Sequence, residues 1–334
     1  MQTLAEFDLI ERYFKWPRLG SWPSQGVGDD CALIDIGESR VAVTTDMLAV
    51  GTHFFENTSA YDIGYKSLAV NLSDLAAAGS SPRAFFLSIA LPKADPYWLE
   101  GFRKGLFELA KNSGVSLLGG DTVKSADGKI TINITALGEL PKGKGLTRSG
   151  AAIGDDIWLS GTVGGACAAV QARYGKWELS PEAYRQATRR LDRPEPRTGL
   201  GEKLLYIASA CCDVSDGLLQ DLEHIMRRSG RACEIFYEAI PADVSLERLT
   251  FEQRKKALLA GGDDYELLWT APRSERESIA RISNELQLPV SRIGRVVESE
   301  SNVALIRVTN QGTLLDTGAD RGFDHFCSSY ENSK

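Results

Sequence analysis

The stretch Ser67–Ser80, SLAVNLSDLAAAGS, has the composition of a buried helix and anchors the fold prediction. Leucine and alanine are strong helix formers, and the glycine near its end is a common helix stop. Three residues at helical spacing, Leu68, Leu72 and Leu75, form an apolar stripe. Small and polar residues run beside that stripe, with Asp74 among them. A carboxylate next to an apolar face is costly unless it is paired, so Asp74 is either solvated, salt-bridged or part of a site.

Length and composition indicate a globular protein of two domains. The chain has 334 residues, of which 43% are hydrophobic and 25% charged. Six scattered cysteines include no CxxC pair, which favours a reduced, cytoplasmic protein that uses its thiols as small hydrophobes. No apolar run approaches the roughly 18 residues that a membrane helix needs. The N-terminal residues also lack a basic-then-apolar signal pattern, so we expect no membrane association.

Charge and histidine content narrow the ligand classes. The net charge of −7 and the absence of a basic, aromatic-rich stretch argue against a nucleic-acid partner. Only three histidines are present, so a His-rich zinc site is not expected. Phosphate ligands remain compatible with an acidic protein if metal ions lie between the negative groups.

Strand-like and helix-like segments alternate in both halves, which predicts an α/β (α+β) fold with two domains. In the first half we expect helices over 1–20, 67–80 and 96–112 and strands over 31–36, 41–46, 83–92, 115–122 and 129–140. In the second half we expect a strand from residue 157 that leads into a Gly-rich turn and a helix, further helices over 185–191, 198–209, from about 216, 246–262 and 274–286, and strands over 232–240 and 264–271. A Gly/Lys-rich connection, 141–156, marks the boundary, with domain one at 1–148 and domain two at 149–334.

Several aspartates stand directly before or after an apolar strand, beside Gly, Thr or Ser. This placement would gather carboxylates at strand ends, where they repel one another unless a cation binds. Oxygen ligands with few His or Cys select Mg²⁺, which usually bridges protein carboxylates to phosphates. The residues concerned are Asp29, Asp30, Asp46, Asp74, Asp121, Asp213 and Asp216.

Each aspartate taken alone also fits a purely structural role. Asp is favoured in turns and helix caps, and the Gly154-Asp155-Asp156 turn is an example of the first kind. Asp216 stands where it could cap the helix that follows it. The stretch Gly138–Gly145, GELPKGKG, nearly matches a P-loop but lacks the Ser/Thr after Lys and the required strand context.

The order of eight motifs between Gly26 and Phe326 resembles the thiamine-monophosphate kinase family. That family lies within a larger group of ATP-using enzymes that includes aminoimidazole ribonucleotide synthetase. The motifs are GVGDD, VTTDMLAVGTHF, NLSDLAAAG, LLGGDT, LTRSGA, DVSDGL, GGDDYELL and GFDHF.

The resemblance implies an N-terminal mixed-sheet domain that forms a homodimer, a C-terminal α/β domain, and ATP in a cleft near the dimer interface. The implied Mg²⁺ ligands are Asp30, Thr44, Thr45, Asp46, Asp74, Asp121, Asp213 and Asp216. The implied ATP contacts are Gly120, Asp121, Arg148 and Ser215. The implied contacts to thiamine monophosphate are His53, a carboxylate of Asp263 or Asp264, and Phe323.

The implied reaction transfers the γ-phosphoryl group of ATP to thiamine monophosphate and gives thiamine diphosphate. The acceptor phosphate is already largely ionised, because its second pKa is near ~6, so we expect no residue to act as general acid or base. Two positions depart from the family pattern. Arg103 stands where a tyrosine is frequent, and GGDD replaces the commoner GGED.

Three other activities within the group, and one class beyond it, are the alternatives to this reading of the motifs. A carbamoyl-dehydrating maturation protein would need a C-terminal cysteine pattern that YENSK lacks, and a selenophosphate synthetase would need a reactive Cys and Lys that SWPSQGVGDD lacks. A purine-pathway synthetase would lack the pairing of VGTHF with GGDDYELL. From a different class, the chain could be a non-catalytic regulator that binds a nucleotide or a divalent cation.

Overall fold

The computed structural model describes residues 9–14, 24–25, 28–299, 305–318 and 322–323. The helix predicted over residues 1–20 lies mostly outside them, and within them a short helical turn covers Ile10–Phe14. Of the GFDHF motif, only Gly322 and Phe323 are described.

The first half of the described chain forms one mixed sheet of six strands. Its strands are β1 (Ser24–Gln25), β2 (Ala32–Ile36), β3 (Ser39–Ala49), β4 (Ser81–Leu91), β5 (Ser116–Lys124) and β6 (Thr131–Pro141). The order is β1-β2-β3-β6-β4-β5, and neighbours run antiparallel except β4 and β5, which are parallel. Two helices, α1 (Ala60–Ala77) and α2 (Pro96–Asn112), accompany this sheet.

Helix α1 begins at Ala60, earlier than the stretch 67–80 predicted. The extra turns follow from Ser59, whose Oγ accepts a hydrogen bond from the backbone N–H of Asp62 and caps the helix. Two helical glycines explain how α1 and α2 approach so closely. A Cβ on Gly64 would lie 2.1 Å from the carbonyl oxygen of Phe102, and one on Gly105 would meet α1 in the same way. The close crossing therefore requires glycine.

The two faces of the first sheet differ. One face carries Leu48, Phe85, Ile89, Ile132 and Ile134, which are buried together with residues of α1 and α2. The opposite face, which we call the open face, leaves apolar side chains exposed. These are Met47, Phe86 and Val123.

The second half forms a mixed sheet of seven described strands in the order β13-β12-β9-β11-β7-β10-β8. The strands are β7 (Asp156–Ser160), β8 (Ala210–Asp213), β9 (Ala232–Phe236), β10 (Leu267–Ala271), β11 (Val290–Val297), β12 (Ile306–Asn310) and β13 (Thr313–Leu314). The helices are α3 (Gly165–Arg173), α4 (Pro181–Asp192), α5 (Thr198–Leu204), α6 (Leu218–Ser229), α7 (Phe251–Ala260) and α8 (Arg276–Leu286). Strand β10 starts later than the predicted residue 264, because the GGDD segment forms an irregular turn before it.

The end of α1 joins the two halves. The alanines Ala76 and Ala77 are buried in one cluster with Leu200 and Trp269 of the second half. A Cβ on Gly201 of α5 would lie 2.1 Å from the carbonyl oxygen of Ala76. The small residues therefore let a second backbone pack directly on α1.

The α/β (α+β) class predicted from the sequence is confirmed by these two sheets and their helices. Five cysteines of the described part are buried and unbridged, as their use as small hydrophobes predicts. None of the helices in the described part is both long and apolar enough to cross a membrane. The first sheet ends at Pro141 and the second begins at Asp156, and the domain boundary at 148/149 stays a prediction.

Candidate functional site

Three carboxylates from distant parts of the chain meet in one place. Each of Asp30, Asp74 and Asp213 offers an oxygen, and these oxygens all lie within 4.8 Å of one another. Asp30 precedes β2, Asp74 lies on the last turns of α1, and Asp213 ends β8. We call these three residues the carboxylate cluster. It is assembled from both halves of the chain, as the strand-end pattern predicted.

Burial and mutual repulsion make the metal-free cluster hard to ionise. Burial raises the pKa of Asp74 well above its usual range, and the charges of Asp46, Asp213 and Asp30 add to the rise. Burial is also the main cause that raises the pKa of Asp46 to about 6 and that of Asp213 to about 7, and the Asp30 charge adds to both shifts. Asp46 thus belongs electrostatically to the cluster.

Two hydroxyl groups hold the cluster in position. Thr44 of β3 donates through Oγ1 to Asp74 Oδ2 at 2.5 Å. Ser73 of α1 donates through Oγ to Asp213 Oδ2, also at 2.5 Å. The carboxylate cluster and the two hydroxyl groups offer only oxygen atoms to a cation, and oxygen ligands suit a hard divalent ion. The residues present fit Mg²⁺, because a cation would remove the repulsion that raises these pKa values.

Arg148 places a positive charge on one side of the cluster. Its guanidinium Nη2 donates to Asp30 Oδ1 at 2.7 Å, and its backbone N–H donates to Asp29 Oδ1 at 2.9 Å. Burial raises the pKa of Asp30, and the Arg148 charge opposes that rise. An arginine in this position suits a charge-assisted contact to a phosphate group.

The turn that follows Asp213 is held by a residue that the sequence did not single out. Asp221 of α6 is buried, and its Oδ2 accepts the backbone N–H groups of Ser215, Asp216 and Gly217 at 3.0–3.1 Å. Asp216 does not occupy the cap position of α6, which is Gly217. Asp221 instead holds the turn that precedes the helix.

Phe323 is fastened to the same turn. Its backbone N–H donates to the carbonyl of Asp216 at 2.9 Å, and its carbonyl accepts from Gln220 Nε2 at 2.7 Å. The C-terminal aromatic residue of the predicted substrate set therefore lies beside the turn that carries the predicted ATP contact Ser215.

The two carboxylates of the GGDD turn point to different places. Asp264 is buried, and its Oδ2 accepts the backbone N–H of Gly164 at 2.7 Å, just before α3. Burial raises the pKa of Asp264 to about 8. Asp263 is one-third exposed and pairs with Lys66 at 2.7 Å. Asp264 is thus held against the start of α3, and Asp263 is the more exposed of the two carboxylates.

His53 and Asp263 both contact the ammonium group of Lys66. The Nδ1 atom of His53 accepts the backbone N–H of Ala49 at 3.1 Å, so a neutral ring carries its proton on Nε2. Its carbonyl accepts from the buried ammonium of Lys66 at 3.2 Å. Lys66 therefore contacts both the His53 segment and the GGDD turn.

Three predicted residues, Thr45, Gly120 and Asp121, do not join the carboxylate cluster within one chain. Thr45 alternates with Thr44 and Asp46 along β3, so its side chain lies on the open face, where it contacts Asn133 and Thr135. Gly120 and Asp121 lie on the fully exposed edge strand β5.

A cavity of about 150 Å³ on the open face is lined by Met47, Asp121, Val123 and Asn133, among others. Asp121 is thus on the opposite side of the sheet from Asp46.

Sequence reasoning missed Ser73, Lys66 and Asp221. Asp221 carries a weak signal, since it is an acidic residue of DVSDGLLQDL that follows the loop within about one helical turn. Lys66 is a charge in an otherwise apolar segment of α1, and such a residue is expected to be paired. Ser73 gives no signal, because its partner Asp213 is 140 residues away.

Comparisons with known proteins match nearly the whole chain. Residues 28–140 match the family described as AIR synthase related protein, N-terminal domain, and residues 152–306 match AIR synthase related protein, C-terminal domain. A thiamine-monophosphate kinase of Haemophilus influenzae is 38% identical over 331 residues, which cover 98% of this chain and 99% of the relative.

Solved structures agree with this result. The crystal structure of thiamine-monophosphate kinase from Stenotrophomonas maltophilia K279a is 38% identical with a TM-score of 0.76, covering 94% of this chain and 99% of that one. A structure of AaThiL complexed with AMPPCP and TMP is 29% identical with a TM-score of 0.80, covering 96% of this chain and 97% of that one.

Proposed function

Since the chain belongs to the thiamine-monophosphate kinase family of AIR synthase related proteins, we propose that it transfers the γ-phosphoryl group of ATP to thiamine monophosphate. The products are thiamine diphosphate and ADP. The observation that carries the proposal is the carboxylate cluster of Asp30, Asp74 and Asp213, which both halves of the chain build. A buried acidic cluster of this kind suits a metal-bridged polyphosphate better than it suits a bare protein core.

The residues that would hold Mg²⁺ are those around the cluster: Asp30, Thr44, Asp46, Asp74, Asp213 and Asp216. These residues would hold the ion next to the polyphosphate, where its positive charge would offset the charge of the transferring group. Arg148 offers its guanidinium to a phosphate oxygen from the Asp30 side. Ser215 presents the adjoining turn, whose backbone Asp221 keeps rigid.

The acceptor side consists of His53, Asp263 and Phe323 in this proposal. The Nδ1 atom of His53 accepts a backbone N–H, so a neutral ring carries its proton on Nε2, the atom that would donate to the substrate. His53 therefore orients thiamine monophosphate and takes no proton from it. A phosphate acceptor needs no general base, because it is largely ionised at neutral pH. Catalysis then consists of positioning and charge neutralisation.

Thr45, Gly120 and Asp121 fit the proposal only if a second copy of the chain covers the open face. We propose a homodimer through that face, supported by its exposed apolar residues Met47 and Val123. The second copy would bring the residues of the open face next to the nucleotide cleft. The buried unbridged thiols are compatible with action in the reducing cytoplasm.

A coupled assay with thiamine monophosphate, ATP and MgCl₂ tests the function. We expect turnover by the wild-type protein and a loss of at least about 100-fold in Asp74→Asn, because the variant removes one charge from the metal site. Asp127→Asn is the matched control, since Asp127 lies in an exposed turn and Asn can accept the same Lys129 N–H. A wild-type protein that leaves thiamine monophosphate unchanged would contradict the proposal.

The role of the metal has a separate test. Calorimetric titration of ATP with and without Mg²⁺ should show binding that depends on the metal, because the carboxylate cluster repels free ATP. Equal ATP affinity under both conditions would contradict the bridging role. Asp74→Asn should also keep or raise the unfolding temperature, whereas a structural ion pair at Asp74 would make it fall.

A further inference from the structure

Lys66 is a buried cation on the acceptor side of the site. Only 3% of its side chain is exposed, and its neighbours on α1, Ile63 and Ser67, are buried as well. Burying an ammonium group costs several kcal/mol unless it is paired and hydrogen-bonded. Its place in the fold therefore requires partners that are fixed relative to α1.

Those partners come from two other segments. The ammonium donates to Asp263 Oδ1 at 2.7 Å and to the carbonyl of His53 at 3.2 Å. Asp263 belongs to the second half of the chain and His53 to the loop before α1. One side chain of α1 thus connects two segments that the proposed function assigns to the acceptor site, the His53 loop and the turn of Asp263.

The GGDD turn requires contacts from other segments to keep its conformation. Asp263 and Tyr265 both have positive φ angles, 67° and 52°, and this region is unfavourable for a bulky residue such as tyrosine. Surrounding contacts must hold the turn in this conformation. Tyr265 donates its hydroxyl to Asp263 Oδ1, the same oxygen that Lys66 contacts, and the N–H of Asp263 donates to the carbonyl of Ser215.

Helix α1 connects Lys66 to the carboxylate cluster. Lys66 and Asp74 are eight residues apart on α1, which corresponds to about 12 Å along a helix axis. A rigid helix therefore sets the distance between the acceptor-binding segments and the carboxylate that we assign to Mg²⁺.

We propose that Lys66 is the positioning residue for the phosphoryl acceptor: it fixes the His53 segment and Asp263 relative to the carboxylate cluster. This inference rests on the function proposed above. It makes the acceptor more sensitive to Lys66 than the nucleotide is, because Lys66 contacts the His53 segment and Asp263 directly. It reaches the Asp221-held turn only through Asp263, whose backbone N–H donates to the carbonyl of Ser215.

The test compares Lys66→Met, Lys66→Arg and the control Lys104→Met with the wild-type protein. Lys104 lies exposed on α2, where it pairs only loosely with Glu100 at 3.6 Å. We expect Lys66→Met to raise KM for thiamine monophosphate by about 10- to 100-fold and to lower kcat, because a small displacement of positioning groups is that costly. The KM for MgATP should change by less than about twofold, because Lys66 has no described direct contact with Arg148 or with the turn that Asp221 holds. Lys66→Arg should recover part of the loss.

A double variant separates positioning from general destabilisation. If Lys66 acts through Asp263, then Lys66→Met/Asp263→Asn should have a KM for thiamine monophosphate no higher than the worse single variant. Unfolding temperatures are measured for every variant. A fall in unfolding temperature with an unchanged KM, or equal rises in both KM values, would overturn the role of Lys66. An inactive wild-type protein would instead overturn the function itself.

Discussion

Ser73 of α1 donates a buried hydrogen bond to Asp213 of β8, and this bond joins the first half of the chain to the second sheet. The next residue on α1, Asp74, belongs to the same carboxylate cluster as Asp213. The helix therefore supplies one carboxylate and also orients the carboxylate that arrives from the second half. The distance between these two potential metal ligands is set by two adjacent residues of one rigid element.

Ser73→Ala should destabilise the protein by about 1–3 kcal/mol, because it removes a buried hydrogen bond to a carboxylate. The bond from Ser73 lowers the pKa of Asp213, so its loss should raise that pKa further above about 7. We therefore expect weaker Mg²⁺ binding at pH 7 together with a lower urea midpoint. Ser67→Ala is the control, since Ser67 is equally buried but bonds only to Ile63 of its own helix. Equal Mg²⁺ affinities in both variants would contradict this role.

Without Mg²⁺, stability should fall as the pH rises through the range of about 4 to 7. The pKa of Asp46 is raised to about 6 and that of Asp213 to about 7, against about 3.9 in the unfolded chain. The folded state thus holds more protons than the unfolded state in this range, and losing them costs stability. Each pKa unit corresponds to on the order of 1 kcal/mol.

Unfolding temperatures recorded from pH 5 to 8 check this expectation. Saturating Mg²⁺ should flatten the profile, because the ion favours the ionised carboxylates, and Asp213→Asn should flatten it without metal. Stability that rises with pH in the metal-free protein would show that the cluster is paired with cations instead.

The strand ends and apolar periods of the sequence were sufficient to predict the fold class and most elements. Helix α2 was predicted with the bounds Pro96–Asn112 that the structure shows, because Asp95 and Pro96 are strong start signals. The start of α1 was missed because Gly64 weakens the helical pattern. A glycine is required there because the backbone of Phe102 packs directly against it. Propensity has no access to such a contact.

The sequence predicted members of the carboxylate cluster where a residue stands at or near the end of an apolar strand or helix. Asp30 precedes β2, Asp74 lies on the last turns of α1 and Asp213 ends β8, and the three elements bring these carboxylates together. Thr45 and Asp46 are adjacent in sequence, yet the pleat of β3 sends them to opposite faces of the sheet. The family resemblance assigns both residues to the metal without distinguishing the faces.

Asp221→Ala should loosen the turn that carries Ser215 and Asp216. It removes the acceptor of three backbone N–H groups, which should cost about 2–4 kcal/mol of stability and raise the KM for MgATP. Asp221→Asn keeps an acceptor oxygen, and burial already raises the pKa of Asp221 well above its usual range, so this variant should be much milder. Urea denaturation and steady-state kinetics measure both effects. Similar losses in the two variants would indicate that the charge of Asp221, rather than its hydrogen bonds, is required.

Val123→Lys should dissociate the homodimer that we propose. Val123 is 51% exposed on β5, within the open face, and a lysine there would bring two charges into an apolar interface. Leu314→Lys is a matched control, because Leu314 is 69% exposed on β13 of the other sheet. Sedimentation velocity should give a dimer for the wild type and the control and a monomer for Val123→Lys. The monomer should also lose kinase activity while keeping its unfolding cooperativity, because Asp121 reaches the nucleotide only across the interface in this proposal. A fully active monomer would separate Asp121 from the site and leave the cluster of Asp30, Asp74 and Asp213 to act within one chain.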